Sequence, residues 1–241
     1  MNKTERELYL KNMLENKTAA VLGIGVSNLP LIDFLLERGA KVVARDMKKR
    51  EALGSELASS LEEKGVTLIC GENYLDNITE DIVFRSPGIR FDKPSLIEAA
   101  NRGALITSEM QLFFDITPTH NIGITGSDGK STTTTVISKI LEEDGKKTFL
   151  GGNIGFPLLP RVDDMDSDSY SVAELSSFQL HTMTKSPDVA VITNITPNHL
   201  DYHLGMEEYI EAKANILKYQ SEASRSVLNW ENGITKELGS S

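Results

Sequence analysis

Residues 122–135 read Ile-Gly-Ile-Thr-Gly-Ser-Asp-Gly-Lys-Ser-Thr-Thr-Thr-Thr: an apolar approach, a glycine-bracketed turn, then a lysine beside hydroxyls. Each residue type there suits an anion. Gly126 and Gly129 let backbone N–H groups converge without Cβ obstruction. Lys130 supplies a mobile full charge, and Ser131 or Thr132 offers a hydroxyl to Mg2+. A helix starting here would add the partial positive charge of its N-terminus. The strict P-loop pattern asks for a further glycine where Ile124 stands, so this loop is the shorter Thr-Gly-x-x-Gly-Lys-Ser. The chemistry expected of Gly126, Ser127, Asp128, Gly129, Lys130, Ser131 and Thr132 is binding of nucleotide phosphates.

Further groups of matching chemistry follow. Glu174 closes an apolar stretch, Asn198-His199-Leu200-Asp201 follows another, and Lys213 lies in a helical pattern. Glu174 and Ser131 are the oxygen donors that Mg2+ takes alongside a nucleotide. His199 is less usual for Mg2+ but suits a second metal or a phosphate. Singly, a strand-end carboxylate is ordinarily a surface charge and a loop histidine a packing residue. They become a site if one sheet edge gathers them.

The elements around them predict such an edge. Residues 4–15 read as a helix with Leu8, Met13 and Leu14 on one side. Thr18 to Leu22 is an apolar strand running into Gly23-Ile24-Gly25-Val26-Ser27-Asn28. A helix with Leu31, Ile32, Leu35 and Leu36 inward follows, closed by Gly39, and then a strand from Lys41 that ends at Asp46. A glycine-rich turn with an acid about 20 residues on is the dinucleotide spacing, though Asn28 sits near the third glycine's place. Residues 51–63 read as one amphipathic helix, and Ser86-Pro87-Gly88-Ile89 as a turn at a strand end, where ligand loops lie in such sheets. Thr117 to Thr119 is a plausible hinge. Beyond it come the phosphate loop, a helix carrying Val136, Ile137, Ile140 and Leu141, a strand over 147–150 followed by a turn at Gly151-Gly152-Asn153-Ile154-Gly155, strands ending at Glu174 and Asn194, and a helix over 207–219. Asp163 to Asp168 reads as a solvated acidic loop. The fold class expected is α/β: a Rossmann-like domain over 1–116, then a P-loop-type parallel α/β domain over 117–241 that is incomplete.

Composition narrows the function classes. A formal charge of −10 argues against nucleic acid and anionic membranes as partners. One cysteine, Cys70, allows no internal disulfide. The N-terminal residues lack the apolar core of a signal peptide, and no apolar run approaches the ~20 residues of a membrane span. The expectation is a cytoplasmic chain that binds small molecules, as a monomer.

Thr125 to Thr132, Gly151 to Gly155, Glu174-Leu-Ser-Ser-Phe-Gln-Leu180 and Asn198-His-Leu-Asp201 together resemble the Mur ligases of peptidoglycan synthesis. Glu174 to Leu180 and Ser86 to Ile89 look most like the D-glutamate-adding branch. The resemblance implies ATP and Mg2+ as cofactors, with ATP phosphates on Gly126 to Thr132. Metal would lie on Ser131 and Glu174, with a second ion on His199. Asn153 would contact substrate or phosphate. Lys213, in Glu211-Ala-Lys-Ala, matches a lysine that is carbamylated in that family, which turns a repelling ammonium into a metal-holding anion. Lys130, Asn153, Glu174, His199 and Lys213 are therefore the implied catalytic set. The UDP of the sugar substrate would lie on Val26, Ser27, Asp46, Lys48, Ser86 and Gly88, with Asn153 reaching the substrate as well. The implied reaction joins D-glutamate to UDP-N-acetylmuramoyl-L-alanine through an acyl phosphate. A third domain that binds the incoming amino acid is absent from these residues, so the chain alone is expected to be inactive.

Other readings stay open at this point. They are a sister Mur-type or folylpolyglutamate-type ligase, a non-catalytic nucleotide- or UDP-sugar-binding module, and a dehydrogenase built on the first glycine turn. No Asn-Lys-x-Asp guanine motif supports a GTPase, and a dehydrogenase leaves the second phosphate loop unexplained.

Overall fold

A computed structural model describes residues 1–25, 28–198 and 202–240. The chain divides into two compact units, Lys3–Leu112, and Phe113–Ser241 with Met1–Asn2. Both are parallel α/β layers, since apolar β-branched runs here alternate with amphipathic helices.

The first unit runs α1 (Lys3–Leu14), β1 (Thr18–Leu22), α2 (Asn28–Glu37), β2 (Lys41–Asp46), α3 (Ser55–Glu63), β3 (Thr67–Cys70), β4 (Ile82–Arg85), α4 (Pro94–Asn101), β5 (Leu105–Thr107) and α5 (Glu109–Ile116), the last crossing into the second unit. Its sheet order is β3-β2-β1-β4-β5, all parallel. The chain order reverses between β1 and β4, so the Gly23 turn and the Ser86 turn open side by side at their carboxyl ends. Ala20, Leu22, Ile78, Val83, Leu96 and Ala99 form a core cluster behind them. Arg45 is buried against Glu80, Nε to Oε1 2.9 Å, and its guanidinium also donates to the carbonyls of Tyr74, Asp76 and Asn77. It thereby ties down the long β3–β4 connection from the strand that ends in Asp46.

The second unit runs β6 (His120–Thr125), α6 (Lys130–Glu143), β7 (Thr148–Gly152), β8 (Tyr170–Glu174), α7 (Ser177–Leu180), β9 (Val189–Ile192), α8 (Met206–Lys218), β10 (Arg225–Leu228) and α9 (Gly233–Leu238). The order β10-β9-β6-β8-β7 is again parallel throughout and puts β6 between β8 and β9. Ile124, Val172 and Val191 form the core on these three strands, with Ile137 and Leu141 packed on it. No helix among the described residues is long and apolar enough to cross a membrane.

Several expectations need correction. The buried face of α1 is Arg6, Leu10 and Leu14, and Leu8 is exposed. Spacing at i, i+4 and i+8 wins because a long arginine can bury its stem where a shorter polar residue cannot. The helix read over 51–63 breaks: Arg50–Leu53 is a 3-10 turn, and Gly54, at φ 91°, separates it from α3. On α6, Val136 and Ile140 face outward, while Thr134 and Ser138 are fully buried. The buried hydroxyls stay satisfied inside the helix, Thr134 Oγ1 on Lys130 O at 2.8 Å and Ser138 Oγ on Glu142 Oε1 at 3.2 Å. The acidic residues Asp163, Asp164, Asp166 and Asp168 are exposed, as expected of a solvated loop, but the stretch begins in regular structure. A 3-10 turn covers Leu159–Asp164 and buries Leu159 and Val162.

Candidate functional site

The phosphate loop joins β6 to α6, and Gly129 is the N-cap of α6 in the left-handed region, φ 78°. Gly126 cannot be replaced without disruption: a Cβ there would stand 1.9 Å from Thr193 Oγ1, and its φ is 152°. The loop is braced from the end of β9. Ser127 N–H donates to Asn194 O at 2.9 Å, and Asp128 N–H to Asn194 Oδ1 at 3.0 Å. Asn194 Nδ2 and Thr193 Oγ1 both donate to Asp128 O, at 3.0 and 2.6 Å. Ser127 Oγ donates to Thr196 O at 2.9 Å and lies 2.9 Å from Tyr209 Oη. Lys130 Nζ folds back on Ser127 O at 2.9 Å, over the loop it serves.

Glu174 ends β8 in register with Ile124 and is 1% exposed. Ser131 Oγ donates to its Oε2 at 2.7 Å, and Asn153 Nδ2 to its Oε1 at 2.9 Å. The main chain repeats the link, with Asn153 N–H on Glu174 O at 2.8 Å. Ser131 in the first turn of α6 and Asn153 just after β7 thus share the one buried carboxylate at the end of β8. A hydroxyl beside carboxylate oxygens at a helix N-terminus is a donor set that fits Mg2+. After Glu174, Ser176 caps α7 in a reciprocal box with Gln179.

Lys213 lies on the inner face of α8 and is 2% exposed. Its Nζ donates to Gly126 O at 2.7 Å, lies 3.5 Å from Thr125 Oγ1 and sits over the Tyr209 ring at 4.7 Å. Burial, helped by the Lys130 charge and opposed by Asp128 and Glu174, lowers its pKa to about 7. The structure therefore gathers Gly126 to Ser131, Asn153, Glu174 and Lys213 at one edge. Thr132 is exposed on the first turn of α6. His199, with Leu200 and Asp201, lies outside the described residues. Tyr209, Thr193 and Asn194 are partners that sequence reasoning gave no such role. Tyr209 could have been found as the residue one helical turn before Lys213.

In the first unit the residues expected around UDP separate into two roles. Asp46 is buried and fully engaged by the main chain, Oδ2 with Ile24 N–H at 2.6 Å and Oδ1 with Lys48 N–H at 2.8 Å. It shapes the glycine turn. The Lys48 side chain is exposed, as is Gly88. Ser86 Oγ donates to Leu22 O, and Asn28 Nδ2 donates to Ser86 Oγ at 2.8 Å and Gly23 O at 2.7 Å. Asn28 is the hub that sequence reasoning read only as a misplaced glycine. Arg85, donating to the carbonyl oxygens of Ser86, Pro87 and Ile89, fixes the second turn from inside. Val26 and Ser27 lie outside the described residues.

Comparison with known proteins matches both units. Residues 17–108 match the profile of the Mur ligase MurD-like N-terminal domain, and residues 124–240 that of the Mur ligase middle domain. The UDP-N-acetylmuramoylalanine–D-glutamate ligase of Clostridium botulinum (strain Langeland) is 51% identical over 229 residues, covering 95% of this chain and 50% of that protein. The ligase of the same name from Clostridium novyi is 50% identical over 239 residues, covering 99% and 52%. The chain thus spans about half the length of the curated relatives it matches. Among solved structures, a UDP-N-acetylmuramate:L-alanyl-gamma-D-glutamyl-meso-diaminopimelate ligase from Neisseria meningitides superposes with a TM-score of 0.59 at 18% identity, covering 92% of this chain and 74% of that one. A UDP-N-acetylmuramate–alanine ligase from Thermotoga maritima gives 0.51 at 21%, covering 92% and 51%. These distant structures share the fold: a Rossmann-like layer followed by a P-loop-type layer. With both of its sheets accounted for by the family's two domains, the chain belongs to the Mur ligases.

Proposed function

We propose that this chain supplies the UDP-sugar and ATP sites of a ligase that joins D-glutamate to UDP-N-acetylmuramoyl-L-alanine. The observation that carries the reading is the array of Ser131, Glu174 and Asn153 beneath the phosphate loop, with Lys213 buried behind it. The naming of the relatives, at about half identity across nearly the whole chain, supports the choice of substrate.

In this reading the backbone N–H groups of Gly126 to Ser131 hold the phosphates, with Thr132 at the rim. Lys130 leaves Ser127 O to meet the outer phosphate. Ser131 Oγ and the Glu174 carboxylate would hold Mg2+, with His199 on a second ion. A bound ion supplies charge neutralisation on the phosphates. The substrate carboxylate attacks the γ-phosphorus and ADP leaves. The amine of D-glutamate then attacks the acyl carbon, and phosphate leaves as the amide forms. Lys130 offsets charge developing on the transferring group. Lys213 is held at a pKa of about 7, so its neutral amine is available to add CO2 and lose a proton, giving a carbamate anion that faces the loop. Asn153 orients Glu174 and reaches toward substrate. In the first unit Ser86, Gly88, Val26 and Ser27 line the uridine diphosphate, Asp46 shapes the turn and Lys48 offers a charge at the rim. We place the boundary between these two roles at residues 116 and 117, inside the stretch that links the sheets.

The test is calorimetric titration of UDP-N-acetylmuramoyl-L-alanine, with UDP alone as control, then ATP with Mg2+. Tighter binding of the sugar nucleotide than of UDP, and ATP binding weakened in Lys130→Ala, are expected. A folded chain that binds neither sugar nucleotide nor ATP would overturn the reading.

A further inference from the structure

A second cluster of side chains able to ligate a metal lies one ring away from the phosphate loop, since Tyr209 packs on His203 at 5.3 Å and reaches Ser127 Oγ at 2.9 Å. His181 follows α7, His203 precedes α8, and Glu208 is in the first turn of α8. Their ligand atoms all lie within 4.8 Å of one another. His181 Nε2 is 3.6 Å from Glu208 Oε1, and His203 Nδ1 is 3.6 Å from Glu208 Oε2. Ligands of one tetrahedral ion at Zn–N and Zn–O lengths stand about 3.4 Å apart. Closing the cluster on an ion therefore needs movement on the order of an ångström.

The surroundings are those of a built site. The His203 side chain is fully buried, and its Nε2 lies 2.9 Å from Ser177 Oγ. With the proton on Nε2 donated to Ser177, the Nδ1 lone pair faces Glu208. A ligating histidine is commonly oriented by a bond from its other ring nitrogen in this way. Glu208 is held in turn by the Leu204 N–H. Phe178, Tyr202 and Tyr209 pack their rings around His203, at centroid distances of 5.6, 5.1 and 5.3 Å. An aromatic shell of this kind lowers the local dielectric and strengthens metal–ligand attraction.

We infer that His181, His203 and Glu208 form a site for a borderline divalent cation, Zn2+ foremost, distinct from the Ser131–Glu174 oxygen site. Two imidazoles and a carboxylate are the donor set of zinc rather than of Mg2+. The cation would clamp the segment that follows Glu174 at the end of β8 to the segment that leads into α8. By sequence, His199 lies just before the latter. The ion's role is to hold those two segments together, and its site does not depend on the ligase reading.

The experiment titrates Co2+ and then Zn2+ into the chain in Mg2+-free, nucleotide-free buffer, read by cobalt absorption and by melting temperature. The chain has 4 histidines, so His120 and His199 are the only histidine competitors. Expected is one equivalent of Co2+ with visible d–d bands, displaced by Zn2+, and a higher melting temperature with metal. His181→Gln and Glu208→Gln should each weaken binding by at least about tenfold, and Ser177→Ala by about tenfold, the size seen when an outer partner is lost. Glu174→Gln and His120→Ala should leave it unchanged. Melting curves without metal show that each variant is folded, and the two partly exposed ligands are chosen because the His203 side chain is fully buried. Absence of binding by the parent chain, or binding kept in both His181→Gln and Glu208→Gln, overturns the inference. Loss of binding in Glu174→Gln or His120→Ala would assign the ion elsewhere and overturn it equally.

Discussion

The two glycine turns of this chain follow the first strand of their respective sheets, yet they are built from different materials. The turn after β1 is held by neutral or main-chain bonds: Asn28 and Ser86 on carbonyls, Asp46 on two N–H groups. The turn after β6 is surrounded by charge, with Lys130 above it, Lys213 behind and Glu174 beside. A turn that only recognises a diphosphate needs shape and fixed dipoles. A turn beside a transferring phosphoryl group needs cations and metal ligands as well. In the proposed function a turn after the central strand of a parallel sheet serves recognition in one unit and chemistry in the other, although the strand orders differ, and the difference in role lies in what the neighbouring strand ends contribute.

The sharpest way to break this comparison is to add a methyl group to each turn. Gly126→Ala should destabilise the second unit by about 3 kcal/mol or more, since the new atom meets Thr193 at 1.9 Å. Gly23→Ala, 2.8 Å from the rotatable Ser86 hydroxyl, should cost about 1–2 kcal/mol. Gly25→Ala, with nothing within 4 Å, should be nearly silent. Chemical denaturation reads all three.

Next in size is the buried cation. Lys213 titrates near 7 in the folded chain and near 10.5 unfolded. Between those values the unfolded chain binds the extra proton, so stability rises with pH across the window. Below about 7 both states are protonated, and the burial cost is felt in full. In CO2-free buffer, Lys213→Met should flatten that rise, on the order of 4–5 kcal/mol across the window. An unchanged slope would mean that Lys213 stays charged where it lies.

Lys130→Ala should lower ATP affinity on the order of 10- to 100-fold, as for loss of a charged hydrogen bond, and leave UDP affinity unchanged. Asn28→Ala should do the reverse more weakly. It should cost about 1–2 kcal/mol of first-unit stability and reduce UDP binding without touching ATP. If either variant damaged both affinities equally, the separation of roles would fail. The smallest effect is Val136→Lys, expected within about 0.5 kcal/mol because the side chain faces outward.

That last variant touches what periodicity could and could not reveal. Both sheets were legible because parallel strands buried on two faces are continuous apolar runs, and the phosphate loop because glycine, lysine and hydroxyl have few other uses together. Helix faces were less so. Burial of Thr134, Ser138 and Arg6 reverses what apolar spacing implies, because a hydroxyl can bond its own helix and an arginine can lay its stem on the core. In α7 the signal was present and unused: Ser176 and Gln179 stand at capping-box spacing. Thr193 and Asn194 escaped notice because both hold Asp128, far back along the chain, which no local pattern encodes, whereas Tyr209 stood within reach as the residue one turn before Lys213.

The Ser131–Glu174–Asn153 array has a kinetic consequence. Before any cation arrives, both carboxylate oxygens already accept a hydrogen bond, so the side chain is held still. Only one of those donors, the Ser131 hydroxyl, has to turn for the oxygens to face an ion. Rotation about a single C–O bond takes picoseconds to nanoseconds, while Mg2+ gives up its water reluctantly. In the proposed Mg2+ role, the pace of loading should therefore be set by the cation shedding its hydration shell rather than by movement of this carboxylate.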